Sequence, residues 1–400
     1  MEITYLANVE HPVQLGYLIS IYFFYTGLSA GSFVLSSLGT VFGIQKYKPI
    51  AKAGVVMAIA LLAVAPLHLI ADLEQPARFY TLFFRLNPTS AISYGTFLLT
   101  LYPLTCIFYL WFMMRKDFAL GAQKLTGFRQ ALYSFLTFGK KDLSPDALAK
   151  DQKWIKGLGT LGVPLALSVH GYTGFILANM QARALWHTGL MPLIFLMSAM
   201  VSGTGLLILI LILTQRYFSP ERALTPRRKA VLQDIARLMM WFIVVDGVLM
   251  AINFIILYFG NAAGYAAAEM LLGGSHSTMF LGVEIGLGLV IPFVITFWSK
   301  TRKSLGLISL ASLLTLLGVI AMRINFVVGG QQIPLSGNAL NPYHVEPRHL
   351  MFLGCFAVLE VVILYLAFKF LPVYGIEPEK ERTSVEHHLP PSSGVSVRSN

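Results

Sequence analysis

An all-α, polytopic integral membrane fold with about nine transmembrane helices is what this sequence predicts, on three observations. Nine apolar runs are each long enough to cross a bilayer core, which takes roughly 20 helical residues. Charged residues are 12% of the chain and hydrophobic ones 56%, whereas a soluble protein carries about 25% charged. Lysines and arginines collect in alternate connections between the runs, which is a topology signal. Spanning strands would alternate with period two, and these runs are apolar all round, so they are read as helices.

In chain order the predicted spans are 15–42, 50–70, 89–114, 154–178, 188–214, 231–260, 278–299, 303–328 and 348–371. The first follows Met1-Glu2-Ile3-Thr4, which lacks the basic start of a cleavable signal, and it is too long for a signal's apolar region. It is expected to be retained. The longest polar connection is 115–153, and its stretch 126–138 is expected to form an amphipathic helix on the membrane surface. The expected domain organisation is a transmembrane domain over 1–374 and a disordered cytoplasmic tail over 375–400, where Pro-Pro-Ser-Ser-Gly occurs. No period of tens of residues stands out, which argues against a repeat array.

Orientation follows from the basic residues. Twenty-five of the 30 lysines and arginines lie on one side of the predicted spans, leaving Arg78, Arg85, Arg183, Arg323 and Arg348 for the other. The positive-inside rule puts the N-terminus outside and the C-terminus in the cytoplasm of a cell inner membrane. The formal charge of +11 is accounted for by these connections, so nucleic acid is not an expected partner. Cys106 and Cys355 lie singly in apolar runs, without the spacing of an iron–sulfur or other metal ligand set.

Ionisable groups inside a membrane are costly and become functional candidates by default. Most crowd towards the outer face: His68, Asp72 and Glu74 at the end of span 2, His170 and Tyr172 in span 4, Glu284 in span 7 and Arg323 in span 8. Asp246 and Glu360 fall near mid-membrane, and Asp234 with Arg237 reads as a local i, i+3 pair. The embedded histidines all belong to the outer half, whereas a transmembrane haem wire needs axial ligands near both faces. Gly171-Tyr172-Thr173-Gly174 sets a phenol between glycines, where a flat ligand or a backbone can come close, and Gly27-Leu28-Ser29-Ala30-Gly31 is a small-residue packing face.

These residues also resemble a known family. Gly27-Leu28-Ser29-Ala30-Gly31 is similar to the small-residue signature of the polysulfide reductase membrane subunit and its NrfD-type relatives. Leu73-Glu74-Gln75-Pro76-Ala77-Arg78-Phe79, then Asn87-Pro88-Thr89-Ser90 and Tyr94-Gly95, resembles its most recognisable stretch. Tyr172-Thr173-Gly174, Leu185-Trp186 and Pro192-Leu193-Ile194-Phe195 match a middle block, and Arg323 with Val328-Gly329-Gly330-Gln331 resembles the close of its core. The length and ninth span point to the longer branch, which includes hydrogenase-linked quinone subunits and the P subunit of the dissimilatory sulfite-reduction complex.

The resemblance implies a haem-free, cluster-free subunit of two four-helix bundles. It implies a menaquinone or ubiquinone site near the outer face, an extracytoplasmic ferredoxin-like iron–sulfur partner and further redox subunits. Tyr172 takes the place of the family's quinone-contacting tyrosine, Glu74 that of a carboxylate at the rim, and Asp72 that of an acid in the longer members. Tyr22 stands where polysulfide reductase has a quinone-binding histidine, and Leu18 where it has an asparagine. His170, His68, Asp72 and Glu74 are then expected to relay protons and Arg323 to stabilise a quinol anion. Glu284, Asp246 and Glu360 would continue a proton path inwards. The competing classes are a secondary transporter, which predicts repeats and broken helices about a midplane site, a b-type cytochrome, and a redox-inactive anchor.

Overall fold

The computed structural model describes residues 13–87, 89–218, 224–333 and 343–376. Among them, nine helices are long and apolar enough to cross a membrane: α1 Tyr17–Thr40, α2 Lys48–Asp72, α3 Ala91–Lys124, α5 Pro145–Ala178, α6 Met191–Phe218, α7 Pro226–Tyr258, α9 Thr278–Phe297, α10 Leu305–Gln332 and α11 Pro347–Phe370. The shorter helices are α4 Phe128–Leu136 and α8 Ala262–Leu272. The chain is a multi-pass, all-α membrane protein. The nine predicted spans fall on these nine helices, and α4 falls on the predicted amphipathic stretch. The tail from 377 and the segment 334–342 lie outside the described residues.

Two differences from the sequence reading have physical causes. Helices α3 and α5 run far beyond the apolar stretches, because a helix leaving the bilayer keeps its backbone bonded while its side chains turn polar. Ser144 caps α5 by accepting from the Ala147 N–H, with Pro145 following it. Helix α8 occupies part of a connection read as a loop; its Asn261 cap accepts from Gly264 N–H at 2.8 Å. The expected Asp234–Arg237 pair is corrected too: Asp234 bonds Lys46 at 2.5 Å, joining the α1–α2 connection to α7.

Helices α1, α2, α3 and α5 pack as one four-helix bundle, and α6, α7, α9 and α10 as another. They meet where α1 and α5 lie against α6, with α10 also touching α1. Without a hydrophobic drive between helices in lipid, such contacts depend on close backbone approach. Gly31 and Gly203 meet backbone to backbone at this seam, and a Cβ on Gly31 would collide with the carbonyl oxygen of Ala199. Helix α11 lies outside both bundles, against α2. Only 6% of its apolar window is buried, against 83% for α1.

The two ends of the bundles differ. The basic end is tied by Arg115 on α3, whose Nε donates to Asp151 of α5 at 2.5 Å, and by the Lys52–Asp117 pair. Helix α4 is moored there by the Tyr133 hydroxyl, which donates to the Phe370 carbonyl at 2.9 Å. At the lysine-poor end the Gln331 side chain clasps the residues leading into α1: its Oε1 accepts from the Gln14 and Leu15 N–H groups at 3.0 Å and its Nε2 donates to the Leu15 carbonyl at 2.8 Å. Trp186 donates to the Phe326 carbonyl at 2.5 Å, its ring lying on Gly330 so closely that a Cβ there would overlap it. The similarity motifs around Leu185-Trp186 and Gly330-Gln331 therefore have a structural use, closing the two bundles together.

Replacing Gly31 by valine should destabilise the seam by about 1–3 kcal/mol or more, as overpacking does. Gly157→Ala, where a Cβ meets open space, should leave the thermal midpoint of the detergent-solubilised protein within error of the parent. Equal midpoints for both variants would remove the seam from the account.

Candidate functional site

The candidate residues, which the sequence reading gathered at one end, are sorted by the structure into separate surroundings. The sorting begins on α5. Successive helical residues turn by about 100°, so His170 and Tyr172 leave the helix on opposite sides.

Tyr172 points to α3. Its ring and hydroxyl lie on the backbone of Gly95, where any Cβ would overlap them. Tyr22, buried on α1, is close enough to interact with it electrostatically. Beside this contact a groove of about 320 Å³ is lined by Ala91 and Tyr94 of α3 and by Ser168, Gly171, Tyr172 and Phe175 of α5. Tyr94 and Phe175 are 57% and 49% exposed, so the groove opens sideways, towards the bilayer, near the lysine-poor end. Its aromatic walls with a few hydroxyls suit a flat, mostly apolar ligand with a polar edge.

His170 points the other way, into the seam between the bundles, with its ring edge against Gly27. It is fully buried, and its Nε2 accepts from Arg323 Nη2 at 3.0 Å. That arginine nitrogen also donates to Ser198 Oγ at 2.6 Å and to the Phe195 carbonyl at 3.3 Å. The guanidinium sits 3.8 Å over the Phe195 ring, the cation–π geometry that a desolvated arginine favours. Arg323 Nε and Nη1 have no hydrogen-bond partner. Asp246 and Glu284 lie near enough to interact with the guanidinium electrostatically.

His68 belongs to a third group. Its ring stands between Tyr25 of α1 and Phe356 of α11, at 4.9 and 4.8 Å, with Nδ1 3.2 Å from the Val64 carbonyl and Nε2 without a partner. Glu360 of α11 is buried near Tyr25, and neither of its carboxyl oxygens has a partner. Asp72, at the end of α2, faces His349, Arg348 and Glu346 at the start of α11. Glu74 is exposed on the connection that follows.

The structure thus brings Tyr172 and Tyr22 together, and separately Arg323, His170, Asp246 and Glu284; it leaves His68, Glu360, Asp72 and Glu74 apart from both. Sequence reasoning did not single out His276 or Asn325, which bond each other at 2.9 Å, nor Gln332 beside them. The signal present in the sequence was Asn325, a polar side chain two residues from Arg323 in an apolar run.

Outside the spans, Arg183 donates to the Gln331 and Ile333 carbonyls at 3.0 and 2.9 Å, and burial lowers its pKa from the ordinary arginine value. It fastens the α5–α6 connection over the end of α10.

Comparison with known proteins bears on what this arrangement serves. Residues 6–334 match the family described as polysulphide reductase, NrfD. The selenate reductase C subunit of Mesobacillus selenatarsenatis is 29% identical over 96% of this chain and 90% of its own length. The C component of the Wolinella succinogenes polysulfide reductase is 29% identical, over 78% of this chain and 93% of its own. The Hdr-like menaquinol oxidoreductase integral membrane subunit of Archaeoglobus fulgidus is 27% identical, over 82% and 73%. The matched family region ends before α11, whereas the selenate reductase similarity extends over nearly the whole chain.

Arg323→Gln should lower the thermal midpoint, because it removes charge-assisted hydrogen bonds worth about 1.5–3 kcal/mol each. Arg323→Lys should recover only part of the loss, since an ammonium on a shorter stem lacks the planar face that lies 3.8 Å over the Phe195 ring. Full recovery by lysine in thermal unfolding would show that charge alone is needed.

Proposed function

The chain belongs to the NrfD polysulphide reductase family, and on that premise we propose that it is the quinone-reactive membrane subunit of a respiratory oxidoreductase complex. The reading is supported by relatives named as subunits of polysulfide and selenate reductases and of a menaquinol oxidoreductase. The observation that carries it is the groove between α3 and α5, which opens to the bilayer beside Tyr172. A menaquinone or ubiquinone bound there exchanges two electrons and two protons with its surroundings. Tyr172 holds a ring oxygen by its hydroxyl, Tyr22 backs it from α1, and Phe175 and Tyr94 flank the ring. Gly95 is required because it lets the Tyr172 ring lie flat on α3.

The basic end is assigned to the cytoplasm of the inner membrane, on the bias of 25 of 30 basic residues. The groove then lies near the outer face. An extracytoplasmic ferredoxin-like iron–sulfur subunit is the partner we assign to that face. It would dock on the described parts of the connections 71–87, 179–187, 261–277 and 329–346. Support comes from exposed Phe79, Tyr80, Phe83 and Phe84, the last 82% exposed, an apolar patch of the kind that marks docking surfaces. The terminal chemistry is assigned to sulfur compounds, in keeping with the polysulfide reductase relative.

In the assembled complex, Tyr172→Phe should reduce quinol turnover by about tenfold, the order of one lost hydrogen bond in a dry site, with assembly unchanged. Ser168→Trp, which adds bulk to a side chain lining the groove, should abolish turnover. Normal turnover in both variants would leave the subunit as an anchor without a redox role.

A further inference from the structure

Beyond electron exchange, we infer that Glu284 and Asp246 form a proton-binding pair inside the second bundle, reached from the lysine-poor face through His276 and Asn325. A chain of hydrogen bonds leads from that face to Glu284. His276, half-buried in the turn before α9, has Nε2 2.5 Å from Gln332 Oε1 and Nδ1 2.9 Å from Asn325 Oδ1. The Asn325 amide nitrogen donates to Glu284 Oε2 at 2.5 Å. Glu284 and Asp246 then line one cavity of about 20 Å³, room for roughly one water centre. Asp246 is 5% exposed, and its Oδ1 is among the buried atoms with no hydrogen-bond partner. It lines the cavity as an acceptor still to be satisfied.

Charge makes the pair a proton site rather than a packing detail. In hydrocarbon an uncompensated carboxylate is costly, and two carboxyl groups here face one guanidinium, that of Arg323. His170, on the far side of Arg323, accepts its N–H at 3.0 Å and adds no positive charge in that role. The charge-neutral set therefore holds one proton on the acid pair.

The backbone around the pair departs from regular α-helix. Thr278–Val290, which contains Glu284, and Asn325–Gly329 are both wound as π-helix, a spacing that recurs at functional sites. Gly288 and Gly318 bring α9 and α10 into backbone contact at the cavity wall. Loading takes a proton from water at the lysine-poor face through His276 to a carboxylate oxygen, and release reverses it; only O–H and N–H bonds form and break. Asn325 stands between imidazole and carboxyl, so its amide must swing aside to let a water make each transfer.

The test uses the full chain in lipid nanodiscs without quinone, so that it stands or falls separately from the electron-transfer reading. Infrared difference spectra across a pH step should show a buried carboxylic-acid C=O band that is lost or shifted in Glu284→Gln or Asp246→Asn. In His276→Ala, which removes the positioned proton carrier, and in Asn325→Leu, whose apolar side chain bars water from the gap, the band should remain while its hydrogen–deuterium exchange slows by about tenfold or more. If Glu284→Gln does not fold, Asp246→Asn and the two access variants carry the test. A band unchanged in the acid variants, or exchange at the parent rate in both access variants, would overturn the inference and leave these groups as packing hydrogen bonds.

Discussion

The buried guanidinium of Arg323 is the constraint on which the polar contacts at the seam depend. It has no exposure to solvent, and a charge there persists only where hydrogen bonds, an aromatic face and opposite charges compensate it. Ser198, the Phe195 carbonyl and His170 take one of its nitrogens, and the Phe195 ring takes its face. Two acids stand nearby. Because these partners come from α5, α6, α7 and α9, Arg323 fixes how the first bundle meets the second. The small-residue contact of Gly31 with Gly203 allows that meeting to be close enough.

Helix α5 separates two kinds of chemistry. One side carries Tyr172 to the open groove proposed for the quinone. The other carries His170 to a buried junction with Arg323, beside the acid pair proposed to bind a proton. A two-residue offset on one helix is enough to divide them.

The spans were legible in the sequence because the bilayer imposes length and apolarity on each helix separately, with no need to know its neighbours. The polar residues were legible as a set for a similar reason: burying His170, Arg323, Glu284 or Asp246 in hydrocarbon is costly wherever each points. Their grouping was not legible. Facing depends on helix rotation and bundle order, so His68 went under α11, Glu360 of α11 turned towards Tyr25, and Asp72 towards Arg348 and His349. The basic residues show the same limit, since Asp234 found Lys46, distant in sequence, in place of its helical neighbour Arg237. Helix α8 escaped notice because it is too short to span and lies in a connection between two spans.

Photolabelling of the membrane-embedded complex with an azidoquinone, followed by peptide mapping, tests the central claim most directly. The account places the label on the 91–95 and 168–175 segments, competed away by unlabelled quinol. Label confined to 243–250 and 284–289, or to helix α11, would contradict a groove between α3 and α5 as the quinone site.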